Sequence, residues 1–173
     1  PGDPSLITLR AVELIKKADV VLYDRLVSKK ILSMIPKKAK AIYVGRAVGD
    51  DYKHQDSTND LMVKYAKIKR CVVRLKGGDP IMFGRGGEEA EYLKKHKIRF
   101  EIVPGITSGI GSATYAGIPL THRKFASSVV FVTGHEDFEK SKEAVRWKNL
   151  AKSTDTIVVM MGLSRLGIIC KEL

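Results

Sequence analysis

The sequence predicts an α/β protein with a mostly parallel sheet and helices on its faces. Short apolar runs alternate with amphipathic stretches along nearly the whole chain, the order expected when strands are joined by helical crossovers. Small, polar or glycine residues follow the runs again and again, as at the ligand-binding edge of an open sheet. The 173 residues, 44% of them hydrophobic, are enough for one large or two small domains with a real core.

Asp3 and Pro4 predict a helix start, a capping carboxylate followed by proline at the first helical position. Leu6, Leu9, Val12 and Ile15 continue that helix at helical spacing. "DVVLYD" (19–24) predicts a buried strand, residues 29–35 a short helix, and "AIYVG" (41–45) a second strand. Residues 46–56 read as a loop and 57–67 as an amphipathic helix. "CVVRL" (71–75) predicts a third strand that runs into "KGGDPIMFGRGGEE", with a helix at 86–96 behind it. "FEIVPG" (100–105) predicts a fourth strand. Beyond it come a small-residue helix (107–117), a strand (128–134), a short helix within 141–152, a strand (156–162) and a last helix from Ser164. The Pro104-Gly105 junction is the expected boundary between a domain at 1–104 and a second at 105–173. No solenoid repeat or low-complexity tract is present.

Charge narrows the partner without choosing it. A net charge of +12, from 31 Lys+Arg against 19 Asp+Glu, favours a polyanion: nucleic acid, an anionic membrane, or a substrate with many carboxylates or phosphates. Many lysines, such as Lys16-Lys17 and Lys94-Lys95, fall at expected helix ends, where cations complement the macrodipole. No apolar run approaches the roughly 18 residues of a membrane span. Cys71 and Cys170 form no CxxC pair, which predicts buried thiols in a reducing compartment and a cytoplasmic location. His54, His96, His122 and His135 lack ligand spacing, so no metal is expected. His96, among lysines, reads as exposed.

The glycine-rich stretch is neither GxxxxGK[ST] nor GxGxxG, and "GIGSAT" (109–114) also fails, so phosphate cradling is poorly supported. Its place after a strand still suits a ligand. Glycines let backbone groups touch a flat molecule, and Asp79 adds a carboxylate. A tight turn capped by Asp79 fits the same residues equally well.

Five longer blocks carry a resemblance: "PGDPSLITLRA", "ADVVLYDRLVS", "VVRLKGGDPIMFGRGGEE", "VPGITSGIGSATYAGIPLTHR" and "SSVVFVTGH". Together they resemble the uroporphyrinogen-III C-methyltransferases of the tetrapyrrole methylase superfamily, from Pro1 to about Gly162. The resemblance implies two αβα domains with mostly parallel sheets, of the class III methyltransferase type, a cofactor cleft between them and a homodimer; the C-terminal domain, 105–173, would be partial. It implies S-adenosyl-L-methionine as cofactor and S-adenosyl-L-homocysteine as product. The reaction would be two methylations of uroporphyrinogen III, at C2 and C7, giving precorrin-2 for sirohaem and cobalamin biosynthesis.

Carried onto matching positions, the resemblance implies cofactor contacts from Pro1, Gly77, Gly78, Asp79, Met82, Thr107, Ser108 and Met161. Met161 taken by itself reads as ordinary core packing. Asp24 matches the family's proton acceptor. A strand-end aspartate behind apolar residues is also a candidate for a raised pKa, with an Asx turn or a bridge to Arg25 as its structural role. Arg46 stands where many members have the proton-donor lysine of "VGKRAG". A guanidinium is a poor proton donor, so Arg46 is expected to bind substrate carboxylate. Arg25, Lys76 and Arg123 are further substrate-binding candidates, with Arg74 and Arg85 also near strand ends; His122 is expected beside the substrate or at the domain junction. The implied chemistry is an in-line displacement in which alignment supplies most of the advantage. Two rivals remain at this point: an RNA methyltransferase of the same fold, which the positive charge would also suit, and a cofactor-binding module without catalysis. With 7% aromatics there is no clear stacking platform for RNA.

Overall fold

The computed structural model describes residues 2–45, 53–134 and 145–173, the side chains of residues 53–56 excepted. Pro1, Arg46 and His135, and the side chain of His54, lie outside the described residues. The chain divides into two compact units, Pro1–Thr107 and Ser108–Leu173.

The first unit is built on a parallel sheet of order β2-β1-β3, with β1 at Val20–Tyr23, β2 at Lys40–Tyr43 and β3 at Val72–Leu75. Val20 of β1 sits opposite Lys40 on one side and Val72 on the other, and the register continues without a slip to Tyr23. Side chains alternate across a strand, so β1 feeds two cores. Val21 packs with Ile15, Ala18, Val27, Ile31 and Leu75 on the face covered by α1 (Leu9–Lys17) and α2 (Lys29–Leu32). Val20 and Leu22 pack with Met62 on the opposite face, beneath α3 (Lys53–Ile68) and against Leu93 of α4 (Gly86–Lys95). Helices on both faces of a parallel sheet make the αβα sandwich that the alternation predicts.

Helix α3 begins at Lys53, inside the stretch read as a loop, and two further local readings change. The first helix does not begin at Asp3. Asp3 caps only a short 3-10 turn, Pro4–Leu6, by accepting from the Ser5 amide. Ile7 is then extended, and the Thr8 hydroxyl accepts from the Ala11 amide to start α1. Two capping side chains lie a few residues apart, and the chain breaks between them.

The segment "FEIVPG" is not a strand. A cavity of about 710 Å³ separates it from β3, lined on one side by residues 70–78 and on the other by 98–106. A ladder needs backbones about 4.8 Å apart, and among the described residues no ladder bond reaches this segment. It is tied down by side chains instead: Arg10 on α1 grips Glu101 bidentately, Nε to Oε1 at 2.8 Å and Nη2 to Oε2 at 2.7 Å.

The second unit pairs β4 (Val129–Thr133) with β5 (Thr156–Met160), again in parallel. Helix α5 (Ser108–Tyr115) lies so close to this sheet that a Cβ on Gly109 would come within 2.8 Å of the Phe131 ring and 2.9 Å of Val158. Gly109 is therefore a packing residue and Gly111 is buried, while Ser108, Ser112 and Thr114 of the same helix are exposed. The starts of both strands are held by Asp155, whose carboxylate accepts from the Ser127 and Ser128 amides, each at 2.9 Å, and from the Ser128 hydroxyl at 2.8 Å. Helices α6 (Trp147–Ser153) and α7 (Leu166–Glu172) contribute the buried Trp147 and Ile169.

Leu22 is fully buried at the centre of the first sheet. Leu22→Ala should cost about 2–5 kcal/mol in chemical denaturation, while Leu9→Ala, on the exposed side of α1, should stay within about 0.5 kcal/mol of wild type.

Candidate functional site

Apart from Thr107, the described site candidates of the first unit lie at or beyond the carboxyl ends of β1 and β3. β1 ends at Tyr23, and Asp24 follows directly; β3 ends at Leu75, and Lys76-Gly77-Gly78-Asp79 follow. Both strands point the same way, so the two loops emerge together.

Most glycines of the glycine-rich stretch after β3 are explained by the protein's own backbone. A Cβ on Gly84 or Gly86 would come within 2.5 or 2.4 Å of the Pro80 carbonyl oxygen, to which the Gly86 amide donates at 3.0 Å. A Cβ on Gly77 would press on Leu26 at 3.0 Å, and one on Gly105 would come within 2.3 Å of the Gly78 oxygen. Gly78 itself has a φ of 76°, the left-handed region where a side chain is penalised. The motif is thus a folded turn first, and whatever surface it offers is what this turn leaves outside.

Asp79 closes the turn. One carboxylate oxygen accepts from the Ile81 and Met82 amides at 2.9 and 3.0 Å, and the other from the Gly105 amide at 3.1 Å. Burial works to raise its pKa, but the amides of Gly105, Met82 and Ile81 outweigh it and hold the carboxyl below the usual aspartate range. The turn pushes Ile81, Met82 and Phe83 outward, each substantially exposed. Phe83 and Arg85 have left-handed φ angles of 51° and 59°, a costly conformation for residues with side chains.

Behind the turn lies a network of four charges. The Arg74 guanidinium uses its Nη edge on Asp24, Nη2 to Oδ2 at 2.9 Å and Nη1 to Oδ1 at 3.3 Å. Its Nε donates to Glu89 Oε1 at 3.0 Å. Lys76 Nζ lies 3.2 Å from Glu89 and 3.9 Å from Asp24. Burial pushes the Lys76 ammonium down, Arg74 pushes the same way, and Glu89 and Asp24 resist. Arg74 and Lys76 share the α4 face by strand alternation, the face opposite Leu75.

Asp24 therefore bridges to Arg74, not to Arg25, and its environment is cationic where apolar residues were expected. Lys76, expected to reach substrate, is buried between carboxylates. Arg85 pairs with Glu88, Nε to Oε2 at 2.9 Å. Of the basic candidates, Arg25 and Arg123 present exposed side chains, and Arg46 lies outside the described residues. Glu89 was not foreseen. Its signal was in the sequence, because 86, 89, 90 and 93 share one helical face, so the second glutamate of "GGEE" points inward with Ala90 and Leu93.

Thr107 is buried, whereas Ser108 is exposed at the start of α5. Met161, immediately after β5, is 54% exposed with a φ of 55°. It is therefore not a core residue; a left-handed, solvent-facing methionine at a strand end is the kind of strained position that collects at functional sites. His122 stacks on Phe125 at 4.8 Å, and His96 is half-buried, packed on Tyr92 at 4.5 Å. Cys71 is partly buried and its thiol is raised by burial, whereas Cys170 is exposed; both are free. Among the described residues no helix is long and apolar enough to cross a membrane.

Known proteins resemble this chain throughout. A sequence model of the Tetrapyrrole (Corrin/Porphyrin) Methylases matches residues 1–173. A uroporphyrinogen-III C-methyltransferase of Priestia megaterium is 51% identical over the whole chain, which spans 72% of that protein. A siroheme synthase of Nitrosospira multiformis is 53% identical, and there the chain spans 36%. Among solved structures, a uroporphyrin-III C-methyl transferase of Thermus thermophilus complexed with S-adenosyl homocysteine is 42% identical with a TM-score of 0.81, covering 99% of this chain and 71% of its own. A cobalt precorrin-4 methyltransferase is 31% identical with a TM-score of 0.84, covering 99% of this chain and 70% of its own.

The Asp79 carboxylate gives a direct test of the turn. Because its pKa is depressed in the folded state, its contribution is fully present above the unfolded value, near about 3.9, and is lost as pH falls through the lower folded value. The stability difference between wild type and Asp79→Asn should accordingly be largest above pH ~4 and shrink towards zero in more acid solution, as read by urea unfolding at stepped pH. A difference independent of pH would show that the carboxylate charge is not what holds the turn.

Proposed function

The chain belongs to the tetrapyrrole (corrin/porphyrin) methylases, and on that premise we propose that it transfers methyl groups from S-adenosyl-L-methionine to C2 and C7 of uroporphyrinogen III, giving precorrin-2. The observation that carries this reading is half-identity to a uroporphyrinogen-III C-methyltransferase across every residue of the chain. The RNA-methylating rival is not favoured: the reported relatives act, by name, on tetrapyrroles.

The residues present fit the cofactor. The turn after β3 leaves Ile81, Met82 and Phe83 partly exposed, an apolar surface of the kind an adenine or thioether would cover. Gly78 offers backbone where a side chain is penalised. Gly77, Gly78, Asp79, Met82 and Thr107 in the first unit, Ser108 and Met161 in the second, and Pro1 outside the described residues are the proposed cofactor contacts. Asp79 acts there mainly by shaping the turn, since its oxygens already accept three amides.

When bound, S-adenosyl-L-methionine supplies a methyl group already activated on a sulfonium. The protein has no electrophile to generate, and orientation of the acceptor carbon is its main contribution, with roughly 7–11 kcal/mol available from alignment. Asp24 is the proposed acceptor of the proton released from the porphyrinogen. Uroporphyrinogen carries eight carboxylates, and exposed Arg25 and Arg123, with Arg46, are suited to them because a guanidinium fork binds a carboxylate bidentately. Arg46 binds rather than donates a proton in this reading. A homodimer in the cytoplasm completes the proposal.

Anaerobic incubation with S-adenosyl-L-methionine and uroporphyrinogen III, followed by mass spectrometry, should show two added methyl groups. Cofactor binding without methylation of this acceptor would overturn the substrate assignment. Asp24→Asn should slow turnover by roughly 100-fold or more; a near-normal rate would remove Asp24 from proton transfer.

A further inference from the structure

The four-charge network is graded in exposure. The Glu89 side chain is 6% exposed, Lys76 9%, Arg74 15% and Asp24 24%. The chain of contacts thus begins in the interior, on the inward face of α4, and ends at the carboxylate that reaches furthest towards solvent at the tip of β1. A network that served only to glue α4 to the sheet would have no need to end on a partly open carboxylate.

The Arg74 guanidinium occupies the middle. It is planar, its donors are fixed in direction, and its two edges are used at once. The Nε edge is set by Glu89 at 3.0 Å, and the Nη edge meets both oxygens of Asp24 at 2.9 and 3.3 Å. Nη1 also donates to the Leu75 carbonyl at 3.3 Å, which ties the group to the strand end. Fixing one edge of a rigid plane fixes the other. Glu89 therefore orients Arg74, and Arg74 orients the Asp24 carboxylate. Lys76 approaches both carboxylates as a compact charge, without a plane to impose a direction.

We propose that Arg74, locked by Glu89, is the positioning residue for Asp24, setting the direction in which its carboxylate meets the porphyrinogen proton. The inference rests on the reading of Asp24 as proton acceptor. It assigns Arg74 no contact with substrate: its role is exerted through Asp24 alone. This separates it from Arg25 and Arg123, whose proposed work is binding.

The test is a double-mutant cycle on the full chain, with Arg74→Gln, Asp24→Asn and the pair, measuring kcat, KM for uroporphyrinogen III, and S-adenosyl-L-methionine affinity by calorimetry. Arg74→Gln should lower kcat at least about tenfold, since small misplacements of a reacting group are costly, with KM and cofactor affinity within about threefold of wild type. In the Asp24→Asn background the same change should cost almost nothing, because the two residues act as a unit. Arg74→Lys keeps the charge and loses the fork; it should fold, hold cofactor, and still fall several-fold in kcat. Glu89→Gln should reproduce a milder form of the same kcat loss.

Each departure has a separate meaning. A fast Asp24→Asn enzyme overturns the proton-acceptor reading and the positioning role with it. A slow Asp24→Asn enzyme in which Arg74→Gln costs as much as in wild type keeps Asp24 and overturns positioning. Loss confined to KM makes Arg74 a substrate-binding residue and also overturns it. If Arg74→Gln fails to fold, Arg74→Lys decides alone, and a wild-type kcat there refutes the proposal.

Discussion

A strand covered on both faces has to satisfy two sets of neighbours with a side-chain period of two, and β1 is under that constraint. Val20 and Leu22 serve the core beneath α3 and α4, while Val21 serves the core beneath α1 and α2. A one-residue slip would exchange the two sets, so the register with β2 and β3 is fixed by packing on both sides. The consequences extend to the loops. With β1 and β3 locked in parallel and in register, Asp24 and the 76–79 turn must emerge at the same edge, and the strand position of Arg74 must face α4.

That geometry explains why charges are tolerated inside. Burying ionised groups is costly unless they are paired and hydrogen-bonded. Here two cations meet two carboxylates, and Arg74 uses both edges of its guanidinium. The glycine-rich turn shows the same economy with backbone. Asp79 collects three amides, and Gly84 and Gly86 leave room for the Pro80 carbonyl. Each glycine that admits another part of the chain is one fewer whose presence needs a ligand to explain it. What the turn leaves exposed, Ile81 to Phe83, is the part that invites one.

Two of the readings of local structure changed for definite reasons. "FEIVPG" has strand composition, but a strand requires an adjacent backbone, and a cavity stands where that backbone would have to be. Asp3-Pro4 is a sound helix start, yet Thr8 offers a second cap five residues on, and the longer helix grows from that one. In both cases the local signal was correct about preference and silent about neighbours. Met161 is similar. Its chemistry suits a core, and its exposure comes from a left-handed residue at a strand end that no composition reveals.

Hydrophobic period and turn chemistry are local, so most of the strands and helices in their order, the parallel sheet and the loops that hold Asp24 and Asp79 could be read directly from the chain. The long motif blocks carried the family for the same reason: they are contiguous. Partnership across sequence is not local. That Asp24 would meet Arg74, fifty residues away, rather than its neighbour Arg25, and that Glu89 would lie behind both, depended on which strands pair and which face α4 covers. Helical spacing alone put Glu89 on an inward face; only packing supplied the guanidinium that makes a buried carboxylate there tolerable.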